Sequence, residues 1–488
     1  MLSHLNPKFV WQIFNDICKI PHPSHYEQMI TKYIVDFAIS HHIEHKIDKA
    51  GNILLTKSAT KGMENCPSIA LQAHMDMVPQ KNEGTNHDFF TDPINAYVDG
   101  EWVKAKGTTL GADNGVGLAS ALAVLIDPAV EHGPIEVLVT TSEETGMHGA
   151  FGLQPNWLKS QFLINTDSED EGEIFTGCAG GVDFTTTFAV TYAVMPEKHD
   201  CYMRISLKGL KGGHSGCDIH LGRGNAIKLM ARFLAEYAQD ISFRLADIQG
   251  GSLRNAIPRE AFVEITLSKE DLPKLKSIIE QYQQVLQNEF GQVEPSLSIT
   301  LSDVESDKIK RVLTTEHQNK IINWLNAAPN GVIRMSNQIH GVVETSLNLG
   351  ILNILDNQLN VHFLIRSQVD SNKDAVVSTL VSLSQLVNAN YEISGGYSGW
   401  EPNLNSTLLQ LAKDKYQEIF SQKAKIMVIH AGLECGLFKK SYPDMDMISI
   451  GPTIVSPHSP DEKVNIQSVY RYWELLIAIL KSASLLKK

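Results

Sequence analysis

The sequence has no excess of basic residues and no apolar run long enough to cross a bilayer. It contains 42 Lys and Arg against 55 Asp and Glu, which gives a net charge of −13. A protein that binds a phosphate backbone needs a basic face, so this balance argues against nucleic acid as a partner. The lack of a long apolar run argues against a membrane-spanning protein.

Cysteine is scarce, and its positions contain no C-x-x-C pair. The cysteines are Cys18, Cys66, Cys178, Cys201, Cys217 and Cys435. This scatter argues against a disulfide framework and against a cysteine zinc site. The N-terminal segment has no basic stretch leading into an apolar one and no small-residue cleavage site, so we expect no signal peptide. These absences together predict a cytoplasmic protein.

The first part of the chain alternates buried strands with helical segments. Apolar runs at 68–72, 135–141 and 161–165 are typical of buried strands, and an apolar helix at 115–127 lies between the first two. The alternation predicts an α/β fold with a mostly parallel central sheet. No G-x-G-x-x-G follows an early strand, which disfavours a dinucleotide-binding enzyme.

The pattern changes near residue 183 and changes back near residue 395. Between them, strands alternate with a two-residue period and long polar helices follow, which indicates an inserted α+β domain. Buried-strand character returns in "KIMVIHAG" and "MDMISIGP". We therefore predict a catalytic domain in two pieces, 1–182 and 395–488, interrupted by a lid or substrate domain at 183–394.

Side chains of the types that can bind metal ions follow several of the predicted strands, and one more begins a helix. They are His74, Asp76, Asp113, Glu143, Glu144, Asp167 and His458. Open α/β sheets gather ligands at the carboxyl ends of their strands. Two imidazoles and several carboxylates there suit zinc or a similar divalent ion.

Each of these motifs taken alone has a purely structural explanation. A lone H-x-D is often a hydrogen-bonded core pair, and adjacent glutamates often begin a helix. Asp113 before glycines fits an N-cap. Asp167 lies in an acidic stretch that fits a solvated loop, and His458 between prolines fits a rigid turn. The joint pattern is more specific, because all these groups end strands or begin a helix in one α/β layer.

The ordered motifs "HMDMV", "GADNGVG", "SEETGMHGA", "NTDSED" and "SPHSPDE" resemble the co-catalytic zinc exopeptidases and deacylases of the aminoacylase/carboxypeptidase superfamily. The motifs "PHPSHYE", "LQAHMDMVPQKN", "GGHSGCDIHLGRGNA" and "HAGLECG" are similar, more closely, to the family of bacterial cytosol non-specific dipeptidases, also called aminoacyl-histidine dipeptidases. The resemblance covers essentially the whole chain, with no departure at the metal or acid/base positions.

The resemblance implies a site with two divalent ions, Zn²⁺ first and Co²⁺ or Mn²⁺ as alternatives. Asp113 would bridge the ions, one of which would also bind His74 and Asp167. The other ion would also bind Glu144 and His458. Asp76 follows His74 by two residues, so both face one side of an extended segment. That position suits a carboxylate that orients the imidazole.

The resemblance also assigns the catalytic and substrate-binding groups. Glu143 would be the general base, acting on a water whose pKa the metal ions lower toward ~7. His214 would stabilise the oxyanion, in its own subunit or across a dimer. Arg366 suits the terminal carboxylate of a substrate. The remaining substrate-binding candidates are Asn255, Gly432 and Glu434. Glu434 would either meet the free α-amine of the substrate or cap a turn.

The predicted function is metal-dependent hydrolysis of unblocked dipeptides with broad specificity, including Xaa-His dipeptides such as carnosine. The resemblance implies a homodimer. An N-acyl-amino-acid deacylase or a carboxypeptidase with the same two-metal site is the nearest alternative. A metal- or peptide-binding protein without catalysis is a further one, although binding alone needs no unliganded base such as Glu143.

Overall fold

The computed structural model describes residues 2, 4–305 and 309–487. The chain divides into two compact units. The first unit comprises Met1–Cys178, Trp400–Val428 and Leu433–Lys488, and the second comprises Ala179–Gly399 and Ile429–Gly432.

The predicted junctions at 182/183 and 394/395 lie inside paired strands. Gly180–Ala189 pairs in antiparallel fashion with Asn390–Tyr397. The glycines near residue 395 resemble a linker in the sequence, but Gly395 adopts a φ of +61° at a strand irregularity between Ser394 and Tyr397. The division into functional domains at 1–182, 183–394 and 395–488 stays a prediction.

The first unit begins with the following elements: helices α1 (Lys8–Ile17) and α2 (Gln28–Ser40), strands β1 (Glu44–Ile47), β2 (Ile53–Lys57), β3 (Ile69–His74), β4 (Ala96–Asp99) and β5 (Trp102–Ala105), helix α3 (Ala112–Ile126), strand β6 (Ile135–Thr140), helix α4 (His148–Gly152), and strands β7 (Phe162–Asn165) and β8 (Glu173–Cys178).

The second unit follows with these elements: strands β9 (Gly180–Ala189), β10 (Tyr192–Ala193) and β11 (Cys201–Lys208), helix α5 (Ala226–Arg232) continued by a π-helical turn (Phe233–Tyr237), strands β12 (Phe243–Gly250) and β13 (Ala261–Leu267), helix α6 (Leu272–Phe290), strands β14 (Ser298–Asp303) and β15 (Val312–Leu313), helix α7 (Thr315–Ala327), strands β16 (Gly331–Met335), β17 (Val343–Leu355) and β18 (Gln358–Ser367), helix α8 (Asp370–Leu386), and strand β19 (Asn390–Tyr397).

Apart from Ile429–Gly432, the last part of the chain returns to the first unit. Its elements are helix α9 (Thr407–Phe420), strand β20 (Lys425–Ile429), helix α10 (Glu434–Ser441), strands β21 (Asp446–Ser449), β22 (Ile454–Val455) and β23 (Lys463–Asn465), helix α11 (Ile466–Lys481), and a 3₁₀ turn (Ala483–Leu485).

The central sheet of the first unit has the strand order β1-β2-β6-β3-β7-β21-β8-β20 within the described residues. Its four middle strands, β6, β3, β7 and β21, run parallel, as the sequence predicts. Antiparallel strands flank them, because β1 and β2 form a hairpin that pairs with β6, and β8 pairs in antiparallel fashion with β21. Every residue of β3 and β6 is buried, which is typical of parallel strands covered on both faces.

The second unit is built on an antiparallel sheet with the order β14-β11-β13-β12-β17-β18-β9-β19, and β16 also pairs with β17. Strand β11 alternates buried and partly exposed residues over its first half, as expected for a sheet with one covered face. Helix α6 matches the predicted polar helix, and Pro273 lies in its first turn, where a missing N–H is harmless.

Among the described residues, none of the helices combines the length and the apolar character that a bilayer crossing requires.

Candidate metal centre

His74 is the last residue of β3, and its ring is oriented by a residue that follows it. Its Nδ1 lies 3.0 Å from the backbone oxygen of Asp76 and 3.3 Å from Asp76 Oδ1. Both atoms are acceptors, so Nδ1 carries a proton, and Nε2 is the nitrogen that would bind a metal ion once it is deprotonated. Nε2 lies 3.2 Å from Asp113 Oδ1 and 3.3 Å from Asp167 Oδ1. The imidazole therefore places a possible metal-ligand atom beside the carboxylates of Asp113 and Asp167.

Asp113 stands between two imidazoles and offers one oxygen to each. Its Oδ2 lies 3.1 Å from His458 Nε2, on the side away from His74. The same His458 nitrogen lies 2.9 Å from Glu144 Oε2. Asp113 is thus placed as a carboxylate shared by two neighbouring clusters.

Within the part of the chain that the structure describes, three sets of side chains have possible ligand atoms within 4.8 Å of one another. They are His74–Asp113–Asp167, Asp113–Glu144–His458 and His74–Glu143–Glu144. The first two sets share Asp113. The donors are carboxylate oxygens and imidazole nitrogens, which suit a divalent ion. Glu144 Oε1 is also buried without a hydrogen-bond partner among the described residues. The residues present therefore fit two divalent ions.

The charges of this cluster are unbalanced in the metal-free chain. Burial, together with the charges of Asp167 and Glu144, raises the pKa of Glu143 well above its usual value. Burial also raises the pKa of Glu144 and of Asp167. Hydrogen bonds with Asp113 and Glu144 raise the pKa of His458 to about 11. The cluster holds more carboxylates than nearby positive charge can stabilise, and bound cations would correct this.

Asp76 connects the His74 strand to the loop of the adjacent glutamates. Its Oδ1 accepts the backbone N–H of Glu143 at 3.0 Å, and its Oδ2 accepts that of Glu144 at 3.3 Å. The Ser24 hydroxyl donates to the same Oδ2 at 2.8 Å. One carboxylate thus holds the imidazole and the backbone of both glutamates in fixed relative positions.

Several supporting residues were missed by reasoning from the sequence. Glu27 Oε1 accepts the N–H of Ser142 at 3.0 Å and its hydroxyl at 2.6 Å. The Asn114 amide donates to Asp167 Oδ1. Glu462 accepts backbone N–H groups at the start of α3. Glu27 lies in "PHPSHYE", Asn114 in "GADNGVG" and Glu462 in "SPHSPDE", so resemblance marked their segments, but it assigned no role to these three residues.

Glu434 is the first residue of α10 and is completely buried. Its Oε2 accepts hydrogen bonds from Gln72 Nε2 at 2.5 Å and from Thr140 Oγ1 at 2.8 Å. Its Oε1 has no hydrogen-bond partner among the described residues, and burial raises the pKa of the carboxyl to about 8.

The other predicted site residues lie in the second unit, where two of them meet. Arg366 ends β18 with its Nη2 3.4 Å from His214 Nε2 and its Nη1 3.3 Å from the Tyr397 hydroxyl. His214 Nδ1 accepts the N–H of Cys217 at 3.0 Å, so the proton of the neutral ring is on Nε2. Burial and the Arg366 charge lower the pKa of His214 to about 4. Two donors therefore face each other.

Arg366 and the neutral His214 are not fully satisfied as donors within the described residues. The Nε of Arg366 is buried without a hydrogen-bond partner among the described residues. An anionic group that accepted from both Arg366 and His214 would satisfy them. Asn255 is exposed and accepts the Ser215 N–H at 2.8 Å through its backbone oxygen. Gly432 ends the short segment Ile429–Gly432 of the same unit.

The chain is similar to characterised peptidases over nearly its whole length. Residues 205–294 match the family model of the peptidase dimerisation domain. The cytosol non-specific dipeptidase of Escherichia coli (strain K12) is 54% identical over 480 residues, which cover 98% of each chain.

Solved structures extend the similarity to the fold. The aminoacylhistidine dipeptidase of Vibrio alginolyticus is 51% identical, with a TM-score of 0.91 and coverage of 99% of this chain and 98% of that chain. An M20 family metallo-carboxypeptidase of Sulfolobus solfataricus is 13% identical, with a TM-score of 0.51 and coverage of 98% and 99%. The similarity to this carboxypeptidase shows only that the two chains share a fold.

Proposed function

This chain belongs to the M20 metallopeptidases, in the family of the cytosol non-specific dipeptidase, and from that premise we propose that it is a two-metal dipeptidase. It hydrolyses unblocked dipeptides with broad specificity, including Xaa-His dipeptides such as carnosine. The similarity to the Escherichia coli and Vibrio alginolyticus dipeptidases supports this substrate class. The observation that carries the mechanism is the pair of ligand sets that share Asp113.

The proposed ligand sets assign one ion to His74, Asp113 and Asp167, and the other to Asp113, Glu144 and His458. Zn²⁺ is the proposed native ion, since it takes these nitrogen and oxygen donors, and Co²⁺ or Mn²⁺ are the alternatives. When bound, such ions lower the pKa of a coordinated water and polarise a peptide carbonyl.

Glu143 is the proposed general base. It lies beside Glu144, yet neither of the two ligand sets that share Asp113 includes it. Its carboxylate would take a proton from the attacking water and pass it to the nitrogen of the departing amine as the C–N bond breaks. Asp76 would serve this step by holding the Glu143 backbone and the His74 ring together.

The second unit supplies the proposed anion-binding groups. The neutral His214 presents Nε2–H, which suits an oxyanion that develops on the peptide carbonyl. The buried Arg366 suits the terminal carboxylate of the substrate, because a guanidinium can donate two parallel hydrogen bonds. A carboxylate anchor favours short substrates with a free C-terminus.

Three further residues are proposed to contact the substrate. The Oε1 atom of the buried Glu434 accepts no hydrogen bond from any described residue, which suits the α-amine of an unblocked dipeptide. Asn255 and Gly432 are proposed to shape the pocket that receives the dipeptide. These assignments extend the resemblance of the surrounding motifs to this chain.

The match to the peptidase dimerisation domain supports a homodimer as the working form. The name of the Escherichia coli relative supports a cytoplasmic location. The proposed partners are therefore dipeptide substrates and a second copy of the chain, without nucleic acid or membrane.

A dipeptide panel combined with metal analysis tests this function. The purified protein should contain two divalent ions per chain and cleave several free dipeptides, including carnosine. Removal of the ions with a chelator should abolish cleavage, and added Zn²⁺ should restore it. Cleavage that continues in the metal-free protein would contradict the proposal.

Blocked substrates separate this function from its nearest alternatives. A dipeptidase that uses Glu434 to bind a free amine should cleave an N-acetylated dipeptide poorly. A deacylase would release acetate from the same compound, and a carboxypeptidase would cleave longer peptides equally well. Preferred release of acetate would replace the proposed function with the deacylase alternative.

A further inference from the structure

A buried carboxylate lies in the loop that carries His458. Glu462 is 2% exposed, and it accepts hydrogen bonds from four consecutive backbone N–H groups. The donors and their distances are Leu110 (2.7 Å) and Gly111 (3.0 Å) to Oε2, and Ala112 (2.8 Å) and Asp113 (3.3 Å) to Oε1. Every donor belongs to the segment that begins α3 and contains Asp113.

The four donors lie ahead of the regular turns of α3. Asp113 and Asn114 have non-helical backbone angles, and Gly111 adopts a φ of +70° and has no side chain to accept an N–H. The backbone of this irregular segment therefore depends on a remote acceptor. The Glu462 carboxylate supplies acceptors only, and a charged acceptor forms stronger hydrogen bonds than a neutral one. A glutamine amide in its place would turn an NH₂ group toward two of the donors.

The same contacts join the segments that carry two of the proposed ligands. Glu462 lies four residues after His458, and its Oε1 holds the backbone of Asp113. The Asp113 Oδ2 and His458 Nε2 atoms lie 3.1 Å apart. The positions of these two side chains are therefore coupled through one buried carboxylate.

We propose that Glu462 is a positioning residue that fixes the Asp113 segment against the His458 loop before any metal binds. It thereby sets the affinity of the site formed by Asp113, Glu144 and His458 for its metal ion. This inference rests on the two-metal site of the proposed function. Glu462 itself touches neither ion nor substrate in this proposal.

A simpler role, a helix cap that contributes only to stability, makes a different prediction. The chain offers a matched control in Glu136, which is 5% exposed and lies in the same unit. Glu136 Oε2 accepts backbone N–H groups from Lys159 at 2.9 Å and Ser160 at 2.8 Å. It is the second residue of β6, so the rest of that strand separates it from Glu143 and Glu144. Both glutamates are buried backbone acceptors, and only Glu462 holds a proposed ligand.

The test compares Glu462→Gln with Glu136→Gln in the full-length protein. Each metal-free variant is titrated with Zn²⁺ by calorimetry, and its thermal unfolding is measured separately. Glu462→Gln should weaken binding of one of the two ions by about 10- to 100-fold, the range usual for residues that orient metal ligands. Glu136→Gln should lower the melting temperature while it binds both ions like the wild type. If Glu462→Gln bound both ions as tightly as the wild type does, the proposal would be overturned, whatever the melting temperature of the variant.

Two further measurements cover a Glu462→Gln variant that does not fold. Glu462→Asp keeps the charge and shortens the side chain, so this variant should fold and should bind the same ion more weakly. In the metal-free wild type, hydrogen exchange at the amides of residues 110–113 should already be slow. Fast exchange there, until metal is added, would overturn the proposal. A wild type that binds no ion would instead overturn the two-metal site, so the two failures are distinguishable.

Discussion

The two units bury opposite kinds of charge. In the first, carboxyl groups accumulate, and burial raises the pKa of Glu143, Glu144 and Glu434. In the second, cationic groups accumulate, and burial together with the Arg366 charge lowers the pKa of His214 to about 4 and of His430 to about 3. These pKa shifts favour the neutral forms of these five groups.

Such shifts reveal what each cluster lacks. A buried group that is pushed toward its neutral form has no sufficient counter-charge nearby. Among the described residues, Glu143, Glu144 and Glu434 have too little positive charge nearby, and His214 and His430 have too little negative charge nearby. The proposed metal ions would supply the cations, and the proposed substrate carboxylate and oxyanion would supply the anion. The comparison therefore supports the proposal that the first unit binds the metal ions and the second unit binds the anionic groups of the substrate.

The largest expected effect comes from Glu143, the proposed general base in the first unit. Glu143→Ala should lower kcat by roughly 10³- to 10⁴-fold, because general acid–base catalysis contributes about this much. The variant should keep two ions per chain, which metal analysis measures. The exposed Glu83→Ala is the matched control and should behave like the wild type. Loss of an ion in Glu143→Ala would make Glu143 a ligand and remove it from the base role.

The next effect tests the cation of the second unit. Arg366→Met should lower kcat/KM for a free dipeptide by about 100-fold, since a lost charged hydrogen-bond pair costs a few kcal/mol. The loss should be much smaller for the corresponding dipeptide amide, which has no terminal carboxylate. Arg334→Met, which changes a half-exposed arginine of the same unit, is the control. Equal losses on both substrates would contradict the carboxylate assignment.

A smaller effect concerns pH and the second unit. The folded pKa of His430, about 3, lies below its usual value of 6.5, so the unfolded chain binds the extra proton first. The contribution of this group to stability is complete above pH 6.5 and is lost as the pH falls toward 3. Between pH 6.5 and 5 the wild type should lose about 1.5 kcal/mol more unfolding free energy than His430→Asn. Parallel pH profiles of unfolding would contradict the shift.

The smallest effect concerns the support of the glutamate loop. Ser24→Ala removes the hydroxyl that donates to Asp76 Oδ2 at 2.8 Å. The loss of one such hydrogen bond, about 1 kcal/mol, should lower kcat by roughly fivefold and leave KM unchanged. Steady-state kinetics on one dipeptide measures both values. A change in KM alone would show that Ser24 acts on substrate binding instead.

The strand-end part of the site was predictable from the sequence. Buried parallel strands read as short continuous apolar runs, and their carboxyl ends lie at one edge of a sheet. His74 ends β3, and Glu143 and Asp167 closely follow β6 and β7, so the pattern indicates where their side chains gather. The antiparallel flanks of the sheet were not predicted, because pairing at the edges depends on the tertiary fold.

The supporting contacts were not predictable in the same way. Glu462 accepts from Leu110, which lies 352 residues earlier in the chain. In the sequence it is an acid in a polar loop, which fits a solvated residue equally well. The contact between Arg366 and His214 spans 152 residues and depends on the second sheet. Burial and pairing at such separations are set by the packing of whole elements, which local patterns do not contain.

Anomalous scattering from crystals of the zinc-loaded protein tests the central claim most directly. The account predicts two zinc peaks per chain, both coordinated by the Asp113 carboxylate, with the Glu143 carboxylate bound to neither. A single peak would contradict it, and so would two peaks in which Glu143 coordinates zinc and Asp113 does not.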